Sequence, residues 1–305
     1  MRCRIVRKNR KLVMFISILI VIATLLGLVL FLNIDKLSIE RLKHRKITDE
    51  VLDYATTVVH FVDVGQGDGI VVENNGHYLV IDAGTNDTGK NMIAYLKSLK
   101  VDVIDVVIGT HPHEDHIGGL DDVINNFEVK KIYMPNFSAT TRSYEDVLKA
   151  IKKSNLQISN PKVGTEFHIG TALVTIFAPV KKYSDANNNS IGVKIVDGDV
   201  SFVLIGDAEK IAEKDILNTG FNLSADVFKA SHHGSTTSNT KQLLEAINPS
   251  IAIISAGKDN DYGYPHREIV ALFKQMGITM YRTDESGTIV VSTNGKKIKV
   301  SPTID

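Results

Sequence analysis

One ten-residue segment, residues 110–119, constrains this chain more than any other part of its 305-residue sequence. It reads THPHEDHIGG and directly follows a run rich in β-branched residues, so it begins where a predicted strand ends. Because alternate residues of an extended loop point the same way, side chains in this segment can share one side of it. Four potential metal ligands lie within six of its residues, namely His111, His113, Asp115 and His116.

The residue types in this segment indicate a metal site rather than a polar surface loop. Three imidazoles packed this densely repel one another as cations and gain little unless a metal ion binds them. Imidazole suits zinc, iron or manganese, and a carboxylate shifts the preference toward harder ions. The one cysteine of the chain, Cys3, excludes an intramolecular disulfide and any zinc cluster built from cysteines.

Three further segments that follow predicted strands carry residues able to complete such a site. Asp207 follows the apolar run SFVLI, and the adjacent His232 and His233 follow ADVFKA. His266 lies farther beyond the strand IAIIS. Because strand ends at one edge of a sheet converge on a crevice, all four segments can reach one site. The order of predicted strands and helices in residues 57–305 favours two sheets stacked face to face with helices outside.

The N-terminal region predicts a membrane anchor. Residues 12–32 carry no charge and are long enough to cross a hydrocarbon core about 30 Å thick. A cleaved signal peptide has a shorter apolar stretch and a cleavage site, so this run is predicted to be an uncleaved signal anchor rather than a buried core helix. The basic tail, residues 1–11, should stay cytoplasmic, which makes this a single-pass cell-membrane protein. Residues 33–56 are predicted to be a helical linker to an extracellular body, residues 57–305.

Charge is distributed unevenly along the chain. Its formal net charge is zero, but residues 33–305 carry 29 basic and 35 acidic side chains. A mildly acidic body weighs against a large preformed phosphate-binding face, and the sequence shows no basic, aromatic-rich stripe for stacking on bases. Four histidines outside the clusters are predicted to be ordinary structural or surface residues, namely His44, His60, His77 and His168.

Seven segments of the body, in the same order, resemble one family. HPHEDH is similar to the HxHxDH signature of the metallo-β-lactamase superfamily, and the resemblance runs from about residue 58 to residue 300. More narrowly, the segments resemble the extracellular hydrolase domain of ComEC-type DNA-uptake proteins, and their core is similar to teichoic-acid phosphorylcholine esterases. The segments are FVDVGQGDGIVVE, LVIDAG, THPHEDHIGGL, NNNSIGVKI, LIGDAE, KASHHGS and SAGKDNDYGYPH.

The resemblance implies an α/β fold, an αββα sandwich, with two divalent metal ions, zinc or manganese. It implies that His111 and His113 hold one ion and that Asp115 and His116 hold the other. Asp207 would bridge the two ions. Asp115 would serve as a ligand or as a proton acceptor in catalysis.

The resemblance fixes the outer ligands less well. His232, His233 or both would complete the site, with His266 as the candidate on its far side. Members of the superfamily usually have a histidine shortly before the strand that leads to the bridging aspartate, but residues 185–190 contain none. Many relatives have histidine where this chain has Tyr264, so either His266 substitutes or that ligand is missing.

A metal-dependent hydrolase of phosphate esters is the activity that the resemblance implies. Asn189, Ser190 and Ser235 are candidates to donate hydrogen bonds to the substrate's phosphate oxygens. The glycine-rich turn at residues 63–68 is either a tight hairpin or a rim that shapes the site. Asp82 is predicted to order the ligand loop through hydrogen bonds rather than to bind metal.

Three classes of function stay open from the sequence. The first is a membrane-anchored, outward-facing phosphodiesterase or nuclease that acts on DNA, in particular single-stranded DNA. The second is a cell-wall esterase that releases phosphorylcholine or another group from an anionic polymer, which single-span anchoring suits. The third is a non-catalytic accessory or binding module of DNA uptake, and the full set of ligands argues against it.

Overall fold

The structure, a computed structural model, describes residues 55–304. The predicted anchor at residues 12–32 and nearly all of the predicted linker at 33–56 lie outside the described residues. Within residues 55–304, no helix combines the length and the hydropathy that a membrane span requires. The anchor and its orientation therefore stay predictions.

The first β-sheet has eight strands, numbered in chain order. Its hairpin strands are antiparallel, and its last four strands run parallel to one another. In spatial order they are β17 (Ile298–Pro302), β16 (Ile289–Thr293), β1 (Thr57–Phe61), β2 (Gly69–Asn74), β3 (His77–Ala83), β5 (Val106–Ile108), β7 (Ile132–Tyr133) and β8 (Ile158–Ser159).

The second β-sheet has seven strands. Its first four in spatial order are parallel and the others antiparallel. The order is β15 (Thr279–Arg282), β14 (Ile251–Ile254), β13 (Val227–Lys229), β12 (Val200–Leu204), β11 (Gly192–Asp197), β10 (Ala172–Ala178) and β9 (Thr165–Ile169). A separate small sheet pairs β4 (Val103–Ile104) with β6 (Glu128–Val129).

Helices cover the outer faces of both sheets. Those on the first sheet are α1 (Gly89–Ser98), α2 (Glu114–Ile117), α3 (Leu120–Asn126) and α4 (Arg142–Lys153). Those on the second sheet are α5 (Lys210–Asn218), α6 (Lys241–Ile247) and α7 (Arg267–Gln275), and the short α8 (Thr283–Ser286) follows β15. Three buried apolar clusters separate these four layers, one between the sheets and one under each set of helices. The predicted αββα sandwich is confirmed.

The alternation of side chains along each strand explains this layering. Successive residues of a strand point to opposite faces, so Phe202 and Leu204 of β12 lie between the sheets while Val203 lies under the helices. Both faces are buried, which is why such strands are nearly continuous apolar runs. Each fully buried large apolar side chain contributes about 1.5–3 kcal/mol relative to an exposed one.

The sequence predicts a single strand over residues 103–109, but the structure has two. The run is divided into β4 and β5, which pair with different sheets. Asp105 lies at the break, where its carboxylate accepts hydrogen bonds from the Tyr78 N–H at 3.1 Å and from the Lys130 ammonium at 2.7 Å. A carboxylate that is solvated and paired outside the ladder interrupts the strand there.

His60 gives the fold a specific sensitivity to acid. Its ring is buried in β1, with Nδ1 2.9 Å from the Tyr95 hydroxyl oxygen and with no hydrogen-bond partner for Nε2 in the described part of the chain. Burial lowers the pKa of His60 to about 3. The unfolded chain therefore binds a proton below pH 6.5 that the folded chain does not bind, so stability is lost as the pH falls through 6.5.

We expect this residue alone to remove about 1.4 kcal/mol of unfolding free energy between pH 7.5 and pH 5.5. In the His60→Phe variant that part of the pH dependence should be absent, as measured by urea unfolding at both pH values. His168→Asn is the matched control at an exposed position of β9, and it should keep the wild-type pH dependence. Equal slopes in the wild type and H60F would contradict the assignment.

Candidate metal centre

The predicted ligand loop leaves the end of β5 and enters α2. His111 and His116 are fully buried, whereas His113 is exposed immediately before the first turn of α2. The Nε2 atom of His111 lies 3.1 Å from Nδ1 of His113. Gly118, which follows α2, packs so closely on residues 85–86 that a Cβ atom there would overlap their backbone. The glycine pair after the motif thus seats the ligand helix against the loop after β3.

Asp207 lies at the centre of the cluster. It follows β12 and is only 2% exposed. Its two carboxylate oxygens face different imidazoles, since Oδ1 is 3.2 Å from Nε2 of His116 and Oδ2 is 3.8 Å from Nε2 of His111. The backbone N–H of Asp207 donates to Oγ of Ser190 at 3.0 Å, which holds the carboxylate in place from behind.

Two adjacent histidines reach the same carboxylate from the end of β13. His232 and His233 both have left-handed backbone conformations, with φ of 50° and 52°, which are uncommon for residues other than glycine. This turn places Nε2 of each ring 3.7 Å from Oδ2 of Asp207. His233 is fully buried and its Nδ1–H donates to the Ser255 carbonyl at 3.0 Å, while Nε2 lies 3.2 Å from Oδ2 of Asp115.

Four of the predicted ligands form one compact group. Single ligand atoms of Asp115, His116, Asp207 and His233 all lie within 4.8 Å of one another. Nε2 of His116 and Oδ1 of Asp207 are buried, and neither has a hydrogen-bond partner within the described residues. Buried polar atoms are normally paired, and two imidazoles with two carboxylates suit a divalent zinc or manganese ion. The residues therefore fit a divalent cation, which these four would hold.

Asp82 makes hydrogen bonds to the ligand loop. Its carboxylate, at the end of β3, accepts hydrogen bonds from the Thr110 N–H at 2.8 Å and from the Thr110 hydroxyl at 2.6 Å. Its Oδ2 atom also lies 2.8 Å from Nδ1 of His116. A proton on Nδ1 directed at Asp82 leaves Nε2 of His116 free to bind a cation.

A buried ion pair below the ligands was not found from the sequence. Lys229, the last residue of β13, is fully buried, and its Nζ atom lies 2.9 Å from Oδ1 of Asp68. Burial by itself raises the pKa of Asp68, but the charges of Lys229 and His233 outweigh burial and hold that pKa below its usual range. The sequence signal for this pair was the lysine in KASHHGS, which ends an apolar strand. A lysine buried there needs a negatively charged partner, because ammonium groups are seldom buried unpaired.

The glycine-rich turn at residues 63–68 braces the ligand helix. The Asp68 N–H donates to the Asp115 carbonyl at 3.0 Å, and the Gly257 N–H donates to the Gln66 side chain at 3.1 Å. A Cβ atom on Gly67 would overlap the Asp115 carbonyl oxygen, and φ is +129° there, so the approach requires glycine. The turn therefore supports the site directly and is more than a tight hairpin.

Burial and the neighbouring charges shift the pKa values of the ligands in opposite directions. Burial lowers the pKa of His233, but the carboxylates of Asp207 and Asp68 outweigh it and raise that pKa to about 9. The same balance raises the pKa of His116 well above its ordinary value. Burial raises the pKa of Asp207, yet the facing imidazolium groups hold it well below its usual range. The cluster thus stabilises positive charge beside Asp207.

Four sequence candidates lie elsewhere or have other roles. His266 precedes α7, and its Nδ1 accepts a hydrogen bond from the Thr236 N–H at 2.9 Å, so the structure does not bring it into the ligand group. Asn189 and Ser190, offered as substrate contacts, are buried, and their side chains bind the Tyr183 and Asp207 backbones instead. Ser235 is also buried and accepts from the Thr237 N–H at 3.2 Å.

Replacing Lys229 with methionine should destabilise the fold. The change leaves the buried Asp68 carboxylate without its cation, and we expect the free energy of unfolding to fall by about 3–5 kcal/mol. Adding Asp68→Asn removes that uncompensated charge and should recover most of the loss. Urea unfolding of the wild type, K229M and D68N/K229M measures both effects, and a single variant as stable as the wild type would contradict them.

Replacing Asp82 with asparagine should weaken metal binding by about 10- to 100-fold, the usual cost of losing the group that orients a ligating histidine. Competition with a chromophoric chelator measures the change. Asp105→Asn is the matched control, because Asp105 also faces a histidine nitrogen, Nδ1 of His77 at 3.1 Å, but away from this centre. If D82N and D105N have the same affinity as the wild type, Asp82 has no orienting role.

Comparison with known proteins agrees with this geometry. Residues 62–258 match the Metallo-beta-lactamase superfamily. ComE operon protein 3 of Bacillus subtilis is 30% identical over 250 residues, which are 76% of this chain and 32% of that protein. Competence protein ComA of Neisseria gonorrhoeae is 26% identical over 229 residues, which are 74% of this chain and 31% of that protein. The chain therefore spans about a third of the length of these curated relatives.

The fold also has counterparts among solved structures. The metallo-beta-lactamase fold protein YhfI from Bacillus subtilis aligns with a TM-score of 0.52 at 12% identity, over 80% of this chain and all of YhfI. The likeness concerns the fold alone at this identity. The match over residues 62–258 confirms the family that the seven segments indicated. The chain belongs to the metallo-β-lactamase superfamily, as a metal-dependent hydrolase with competence proteins among its relatives.

Proposed function

We propose that this protein is an outward-facing phosphodiesterase that cleaves DNA with two divalent metal ions and is held to the membrane by residues 12–32. The arrangement around Asp207 carries this proposal. Its Oδ1 faces His116, while Oδ2 is approached by His111 at 3.8 Å and by His232 and His233 at 3.7 Å each. A carboxylate with imidazoles on both oxygens suits a bridging role between two cations.

Two ligand sets follow from this arrangement. His111, His113 and His232 would hold one ion. Asp115, His116 and His233 would hold the other, because single ligand atoms of these three residues and of Asp207 lie within 4.8 Å of one another. Bound in this way, divalent cations supply Lewis acidity to phosphate oxygens and activate water for attack at neutral pH. The ligand set also argues against a purely non-catalytic module, since buried imidazoles and carboxylates are costly to keep without such a role.

Asp115 differs from Asp207 in its access to solvent. Its side chain is 25% exposed, whereas Asp207 is almost entirely buried. Burial raises the pKa of Asp115, but His116 and His233 outweigh burial and hold that pKa below its usual range. The group is therefore an anion at neutral pH, with Oδ2 beside Nε2 of His233, which suits a metal ligand better than a general base because a lowered pKa makes a carboxylate a weak proton acceptor.

DNA is favoured as the polymer by the names of the relatives. They include competence proteins and Recombination protein 2 of Haemophilus influenzae, which is 27% identical over 247 residues. This chain covers only 29–32% of those proteins, so channel or transport functions are not part of the proposal. The mildly acidic body predicts that the cations at the site, rather than a basic surface, attract the phosphate backbone.

The proposal is tested with the purified full-length chain, Mn²⁺ or Zn²⁺, and end-labelled single-stranded DNA. Asp207→Asn should lower the cleavage rate by more than about 100-fold, since even groups that only orient metal ligands are worth about 10- to 100-fold. Asp199→Asn, an exposed change next to β12, should leave the rate unchanged. Hydrolysis of p-nitrophenyl phosphorylcholine by a metal-loaded protein that leaves DNA intact would instead identify a cell-wall esterase.

A further inference from the structure

Tyr262 is an exposed aromatic side chain beside the metal centre. It is 62% exposed, one of four large apolar side chains left open to solvent within the described residues. Its ring stacks on that of Tyr264, with centroids 5.4 Å apart and planes only 11° from parallel. One face of Tyr262 is thus used by Tyr264, and the exposure of the ring leaves the other face open to water.

Tyr264 ties this stack to the ligands. Its hydroxyl oxygen lies 3.1 Å from Nε2 of His232, and its ring meets that of His232 edge to face at 5.5 Å. Asn260 fixes the backbone, because its side chain accepts from the Tyr264 N–H at 2.9 Å and donates to the Tyr264 carbonyl at 2.7 Å. The rings therefore form a column that leads from the side of Asp207 out to solvent.

We propose that the open face of Tyr262 is a stacking platform for a nucleobase of single-stranded DNA whose phosphate lies at the metal centre. This inference rests on the proposed function and adds a base-binding subsite to it. Aromatic rings stack on all four bases, so a single platform binds a strand without reading its sequence. A base stacked on Tyr262 would be separated from His232 by the rings of Tyr262 and Tyr264. The phosphodiester next to that base would then lie over the ligands.

The charges around the platform favour stacking over phosphate attraction. Lys258 is exposed, but Asp259 and Asp261 follow it closely in the chain, so this loop has no net positive charge with which to bind the backbone. A quaternary ammonium group, as in phosphorylcholine, is recognised by several ring faces that surround it. The nearly parallel rings of Tyr262 and Tyr264 offer a single flat face, which matches a flat base.

The test compares two strands of equal length and charge on the full-length, Mn²⁺-loaded protein, one of thymidines and one abasic throughout. Tyr262→Ala should raise KM for the thymidine strand about tenfold, within the range that stacking on one aromatic ring provides, and change kcat by less than about twofold. KM for the abasic strand should be the same in Y262A and the wild type. Tyr262→Phe keeps the ring and should retain the wild-type KM for both strands.

The outcomes separate this inference from the proposed function. Cleavage of the thymidine strand with the same KM in the wild type and Y262A overturns the platform and leaves the nuclease intact. An equal rise in KM for both strands shows a disturbed loop and also overturns it. If the wild type cleaves neither strand, the proposed function fails as well. A KM rise in Y262A for p-nitrophenyl phosphorylcholine alone would assign the ring to an ammonium ligand instead.

Discussion

The whole site depends on keeping negative charge inside the fold. Asp68, Asp82 and Asp207 are almost completely buried, and an isolated carboxylate cannot persist there as an ion. Lys229 neutralises Asp68, and the backbone and hydroxyl donors of Thr110 satisfy Asp82. Asp207 differs from both, because the groups that face it are mainly imidazoles of the predicted metal ligands. Asp207 is therefore the carboxylate at which a bound metal ion would take over the charge neutralisation that the facing imidazoles provide.

These charges also join the two halves of the sandwich. Asp68 lies in the loop before β2 and His116 in α2, both in connections of the first sheet, whereas Lys229 ends β13 and Asp207 follows β12 of the second sheet. The Asp68–Lys229 ion pair and the contact of His116 with Asp207 therefore both cross from one sheet to the other. A cation bound between the sheets would add to the same connection, so metal binding and stability should be coupled in this fold.

The sequence predicted those parts of the molecule in which local chemistry is unusual. The doubly buried β12 stands out as an apolar run, and metal ligands are rare enough for HPHEDH to be recognised. β7 and β8 have two residues each, too few for any periodicity, and were not predicted. Lys229 was missed because its partner Asp68 is distant in the chain, and a lysine at a strand end is usually solvated. The residue type of His266 gave no indication of its hydrogen bond to the Thr236 N–H, and its role as an outer ligand stays a prediction.

The left-handed pair at the end of β13 shows how the backbone brings two adjacent histidines to one carboxylate. In a continued strand, His232 and His233 would point to opposite faces of the sheet, and only one could reach Asp207. Two consecutive left-handed residues turn the chain so that both Nε2 atoms come within 3.7 Å of the same oxygen. Such conformations cost of order 1–3 kcal/mol each and persist only where their surroundings enforce them. The contacts of His233 with Ser255 and of His232 with Tyr264 provide that enforcement, which links the aromatic column to the geometry of the ligands.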